Sequence, residues 1–254
     1  PVLTGAVSRK IHMIPVTSGG PKPFDIDVGA GDIESRSYEL GTANPPTLTI
    51  IAQFDIPVAV LGGAAAVQTD IGTVSSVTDN WDDPYDSPDA GPDPTKVEIV
   101  LTGLPLFGRP IMSFGDGANG VVDAGCPTDP AYASDSMLCA RIIVGDYDNL
   151  GRTNFLDFAK IKNAGYLNQL VTTLDKARAD FDCNSRPNFL DFAKVKAAGL
   201  LNKAALACGE QTGALKSGIS PSSTNAFLCD DTIDNDGLGA DCADLDCAGI
   251  APCP

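Results

Sequence analysis

A chain of 254 residues with 43% hydrophobic composition is long enough to bury a sizeable core. Its formal charge of −16 and pI near 4.2 set it against nucleic acid and anionic membrane surfaces, which carry the same sign, and make cations its natural partners. No apolar run approaches the roughly 20 residues needed to span a bilayer as a helix, so membrane insertion is not expected.

The first 144 residues read as short β-rich runs separated by Gly, Pro, Asp and Asn: VLTGAVSRKIHMIPV, FDIDV, TLTIIAQF, PVAVLGG, GTVSSVT, KVEIVLTGL, RPIMSF and ARIIV. Their spacing predicts an antiparallel β-sandwich over residues 1–144. The first run exceeds the usual strand of about 5–6 residues, begins at the chain end and is followed by the helix-breaking TSGGPKP. Such a segment is either the first strand of its own sheet or a strand lent to a neighbouring copy, and repeated lending builds a homo-polymer. The stretch DNWDDPYDSPDAGPDPT, with six aspartates and four prolines, reads as a solvated loop. Its Trp81 and Tyr85 are the candidates for a surface-glycan platform.

At Gly145 the period changes from two to a helical one. In NFLDFAKIKNAGYL, Phe155, Phe158, Ile161 and Leu167 share a face, and Phe189, Phe192, Val195 and Leu201 repeat it 34 residues later. Two helices packed on each other account for both stripes, which leaves chemistry to the loops before them. A helix-flanked calcium loop supplies oxygens from positions 1, 3, 5, 7, 9 and 12, the seventh through its carbonyl and the ninth often through water. Counting from Asp146 gives Asp146, Asp148, Leu150, Arg152, Asn154 and Asp157; counting from Asp180 gives Asp180, Asp182, Asn184, Arg186, Asn188 and Asp191. Between Asp146–Asn168 and Asp180–Asn202, 15 of 23 positions are identical, so a whole binding unit is duplicated. Magnesium, which demands a tight octahedron, suits these loops less well than calcium.

The pair resembles the dockerin module of secreted bacterial proteins, two loop-helix units each followed here by DFA. The resemblance assigns residues 145–218 to one calcium-binding module and implies calcium-dependent folding and docking to a cohesin-like receptor through the helices. Leu150 stands where an acidic ligand is usual, so the first site is expected to be the weaker. Ser185 replaces the turn glycine of the second loop, and Phe155, Leu156, Phe189 and Leu190 occupy positions where family members carry polar receptor contacts. Residues 1–144 are similar to the sandwich modules that precede such pairs. The closing stretch, CDDTIDNDGLGADCADLDCAGIAPCP, resembles type 3 thrombospondin calcium repeats. That assigns residues 219–254 to a Cys/Asp-rich tail in which Asp234, Asp236, Asp241, Asp244 and Asp246 are the expected donors of a further calcium site.

All eight cysteines follow residue 125, none in C-x2-C spacing, and the only histidine lies far away at position 12, so disulfides are expected in preference to zinc. Short loops favour 126 with 139, 183 with 208, 229 with 242 and 247 with 253, the last two pairs being interchangeable. Disulfides place the chain outside the cell, and a start at Pro1 without an apolar leader reads as a removed signal peptide. With one histidine there is no Ser-His-Asp or Cys-His set, and GDGANG lacks the lysine of a phosphate loop. The expectation is therefore a non-catalytic extracellular structural protein, stabilised by calcium and disulfides and assembling with itself. Docking to a cohesin scaffold and carbohydrate binding are the alternatives.

Overall fold

A computed structural model describes residues 1–37, 40, 47–79, 81–83, 85, 91–114, 119–125, 127, 136–204, 208 and 215–216. The expected donors Asp234, Asp236, Asp241, Asp244 and Asp246, and the tail disulfides, lie outside the described residues.

The structure is mainly β, with antiparallel sheets and few helices. Strand β1 (Leu3–His12) lies between β2 (Lys22–Ile26) and β4 (Leu48–Phe54) of its own chain, and β4 continues to β8 (Lys96–Thr102) and β7 (Thr73–Thr78) to complete a five-stranded sheet. One face of this sheet is apolar by simple alternation: Leu48, Ile50, Ala52 and Phe54 on β4, and Val97, Ile99 and Leu101 on β8, are all buried. Facing them are β6 (Val67–Thr69), β10 (Ile111–Phe114) and β12 (Met137–Cys139), with Phe54 and Phe114 meeting edge to face at 5.5 Å. A two-stranded ribbon of β5 (Val58–Val60) and β11 (Val121–Asp123) completes that side. Strand β13 (Arg141–Ile143) pairs parallel to β3 (Ile33–Glu34) and antiparallel to β9 (Phe107–Gly108), and it delivers the chain to Asp146.

Helices α1 (Phe155–Asn163), α2 (Leu174–Ala179) and α3 (Phe189–Ala197) follow. Ile161, Ala179 and Val195 of these helices, with Phe181 and Leu200 just after α2 and α3, join the same hydrophobic core as the sheets. The stripes therefore divide. Phe158 and Phe192 stack between helices with ring centroids 4.9 Å apart, Ile161 and Val195 enter the main core, and Phe155 and Phe189 remain 63% and 62% exposed.

The chain then returns to the sheets: β14 (Leu215–Lys216) pairs with β12, and Cys208 is bonded to Cys139 at the end of that strand. The expected pairs Cys126–Cys139 and Cys183–Cys208 are thus corrected to Cys139–Cys208. Cys183 is a free thiol sealed in the interior, and its burial pushes the thiol pKa far up.

The inward face of β1 changes character along its length. Leu3 and Ala6 meet the apolar core, but Ser8, Lys10 and His12 are equally buried. Glu34, Ser35, Arg36 and Ser37 are also buried, with Ser8 meeting Glu34 and His12 meeting Arg36. Arg36 chelates Glu34 through Nε and Nη2, each at 2.9 Å, and donates to the Phe24 carbonyl at 2.9 Å. Ser8 Oγ donates to Glu34 and Lys10 Nζ to the Thr47 carbonyl. A buried charge survives when paired and hydrogen-bonded. Burial alone would raise Glu34, but Arg36 holds its carboxyl below the ordinary value.

The join between β13 and the first acidic loop has no spare volume. Gly145 has φ +95°, and a Cβ there would lie 2.7 Å from Thr153 Cγ2 and 3.1 Å from both Val195 methyls. Gly145→Ala is expected to cost about 2–4 kcal/mol through left-handed backbone strain and overpacking. Urea denaturation checks this, with a lowered midpoint at unchanged m-value as the predicted result.

Candidate metal centre

Each acidic loop is built from short local hydrogen bonds that an Asp- and Asn-rich sequence favours. In the first, Gly151 N–H donates to Asp146 Oδ2 at 2.7 Å, Leu150 N–H to Asp146 Oδ1 at 3.2 Å, and Asp148 N–H to Asp157 Oδ1 at 3.2 Å. In the second, Ser185 N–H donates to Asp180 Oδ2 at 2.8 Å, Asn184 N–H to Asp180 Oδ1 at 3.2 Å, and Asp182 N–H to Asp191 Oδ1 at 3.2 Å. The last carboxylate of each loop also closes a capping box: Asn154 with Asp157 starts α1, and Asn188 with Asp191 starts α3. Loop and helix are therefore one unit. Gly151 and Ser185 share the left-handed turn, at φ 84° and 96°, so the serine adopts the glycine conformation at a steric cost.

This geometry gathers Asp146, Asp148 and Asp157 in one cluster and Asp180, Asp182 and Asp191 in another, with one ligand atom from each residue all within 4.8 Å of one another. The other expected ligands are placed differently. Leu150 is 74% exposed and has no side-chain oxygen. Asn154 and Asn188 use Oδ1 to accept from Leu156 and Leu190 N–H, and their amides reach the Arg152 and Arg186 carbonyls. Asn184 donates to Asp182 Oδ2 at 3.0 Å and accepts from Arg186 N–H at 3.2 Å.

The duplicated units face each other about an approximate two-fold axis. Asn168 N–H donates to the Pro187 carbonyl at 2.7 Å, and the equivalent Asn202 N–H donates to Thr153 at 2.6 Å. Phe155 meets Phe192 at 5.3 Å, as Phe158 meets Phe189 at 5.1 Å. Each helix thus ends against the other unit's loop.

The electrostatics of both clusters follow from crowding. Burial first, and then neighbouring carboxylates, raise Asp146 to about 7 and Asp191 to about 8. Burial likewise raises Asp157 to about 6 and Asp180 to about 7. The remaining member of each cluster behaves oppositely. Against burial, Lys160 Nζ at 2.6 Å keeps Asp148 below its ordinary value, and Lys194 Nζ at 2.6 Å does the same for Asp182. Clustered hard oxygens with one lysine at the rim leave each site short of positive charge, a donor set that fits a divalent cation. The lysines lie outside the apolar stripe and were not among the expected site residues; their identical place in both copies was the available signal.

His12, marked in the sequence only by its distance from the cysteines, reaches the second cluster. Its Nδ1 lies 2.7 Å from Asp180 Oδ2, both side chains fully buried, and its Nε2 lies 3.4 Å from Arg36 Nη1. Burial, followed by the Arg36 charge, lowers the imidazole to about 3, so it is neutral. Since Arg36 can only donate, Nε2 accepts and Nδ1–H donates to Asp180.

Trp81, expected on an open platform, is covered. It is 9% exposed, lies under the Arg9 guanidinium at 4.5 Å and donates from Nε1 to Glu98 at 3.2 Å. Tyr85 is 45% exposed. Against family models, curated proteins and solved structures, the chain finds no match.

The sign of the raised Asp191 pKa makes a prediction. A carboxyl raised from 3.8 to about 8 favours the metal-free fold while protonated, and that contribution is lost as pH climbs through about 8. In chelator at pH 8, Asp191→Asn is expected to raise the melting temperature by roughly 5 °C, with the difference fading toward pH 4. In excess calcium the same substitution should lower it. Thermal melts in the two buffers check the reversal, and a shift of one sign in both contradicts it.

Proposed function

We propose that the protein is a non-catalytic extracellular structural protein whose fold is completed by calcium in the two duplicated loops. The observation that carries this reading is the repetition, almost atom for atom, of a buried aspartate triad at the mouth of a capped helix. Asp146, Asp148 and Asp157, and Asp180, Asp182 and Asp191, would hold the ions. Leu150 would contribute nothing from its side chain, leaving the first loop the weaker. A bound cation supplies the charge that the triads lack and so stabilises the folded chain by linkage. The dockerin-like pair following a β-sandwich fits this reading, as does a tail site in residues 219–254. The Cys139–Cys208 bond fits an oxidising compartment, and no helix among the described residues is long and apolar enough to cross a membrane. Self-assembly by strand exchange would place one copy's β1 in the position that β1 occupies between β2 and β4.

A second reading is docking to a cohesin-like receptor through the helix pair. It is favoured by Phe155, Leu156, Phe189 and Leu190, which are 62–64% exposed and related by the approximate two-fold axis.

Calorimetry with calcium and with chelator tests the first reading. At calcium a thousandfold above Kd, one site contributes about 4 kcal/mol, or roughly 10 °C in a chain of this size. Asp180→Ala combined with Asp191→Ala should abolish one bound ion and most of that shift. A melting temperature indifferent to chelator would remove calcium from the account.

A further inference from the structure

The two loops are anchored to the β part by different kinds of residue. The first is held through Asn149: its Oδ1 accepts from Ile33 N–H at 2.7 Å and its Nδ2 donates to Asp32 at 2.9 Å. Asn149 occupies position 4 of the loop and belongs to no carboxylate cluster, so anchoring and cation binding there use separate side chains. The second loop is held partly by backbone, with Met13 N–H donating to Cys183 at 3.2 Å and Ser37 N–H to Phe181 at 2.7 Å. A further anchor is a member of the triad itself, Asp180, which accepts from His12 at the end of β1.

Resting on the calcium reading above, we propose that His12 is a positioning residue for the second loop alone, coupling cation binding there to the seating of β1. The imidazole is pinned between two fixed partners: Nε2 accepts from Arg36, which Glu34 holds by two contacts, and Nδ1–H fixes one oxygen of Asp180. The Ser185 amide fixes the same oxygen from the loop side. Asp180 is therefore held in its cluster orientation before any ion arrives, which removes an ordering cost from binding. The chain has one histidine, so Asp146 has no such partner. Coupling is reciprocal: a cation that favours this Asp180 orientation favours the docked end of β1 by the same factor.

Calcium titration calorimetry on the full chain tests this, with Asp157→Asn isolating the second loop and Asp191→Asn isolating the first. His12→Leu keeps bulk and removes the donor; it is expected to weaken the second loop about 10–100-fold, the usual range for a group orienting a ligand, and to change the first less than about twofold. His12→Asn carries a donor near the place of Nδ1 and should recover most of the loss, whereas His12→Gln, whose donor falls near Nε2, should not. Should His12→Leu fail to fold, the Asn and Gln variants decide between them, and equal affinities overturn the proposal. Binding by the wild-type chain with a second-loop affinity indifferent to His12 overturns this proposal and leaves the calcium reading standing. No calcium binding by the wild-type chain overturns both.

Discussion

Repulsion among carboxylates held close together and out of water is the constraint around which this structure is arranged. Three aspartates whose ligand atoms lie within 4.8 Å cannot all ionise comfortably, and the chain assembles such a set twice. Backbone N–H groups of the loop turn inward, a lysine from the following helix reaches the rim, and the last aspartate caps that helix. Each device offsets part of the charge. The offset is incomplete: burial, with neighbouring carboxylates adding to it, keeps the pKa values of four of the six aspartates raised.

The second loop passes its demand into the β part. An apolar sheet face cannot receive a carboxylate, and the segment beneath this loop is not apolar. Ser8, Lys10 and His12 from β1, with Glu34 of β3 and Arg36 just after it, form a buried polar layer where the core would otherwise continue. Breaking such a layer at one partner leaves an uncompensated buried group, typically a loss of about 3–5 kcal/mol for a charge pair. Acidic loop and sheet are joined there by side chains that cannot be altered singly, while elsewhere Ile161, Phe181 and Val195 join them through ordinary hydrophobic packing.

Much of this was legible before the structure. The long alternating runs became strands, the duplicated helices formed where their period places them, and the aspartates at loop positions 1, 3 and 12 converged. What escaped has physical causes. Strands β3, β6, β9, β11 and β12 span two or three residues, too few for a period to show, and α2 spans six. In β1 the alternation was visible, but the usual assumption that the polar set faces water assigns Ser8, Lys10 and His12 to the wrong side; they are buried because a polar loop covers them. The stripes Phe155–Leu167 and Phe189–Leu201 gave the helix faces but not their division between partner helix, core and solvent. The disulfide depended on β14 returning to β12, and loop length alone pointed elsewhere. Trp81 was misplaced because nothing local indicates that Arg9, far away in sequence, lies over its ring.

Amide hydrogen exchange of the unaltered chain, with and without calcium, shows whether the second acidic loop and the polar layer behave as one unit. Calcium is expected to slow exchange in Asp180–Asp191 and also at residues 8–13 and 33–37, while β7 and β8, on the far side of the same sheet, change little. Protection confined to the two loops, with residues 8–13 and 33–37 exchanging at the same rate in both conditions, would contradict it.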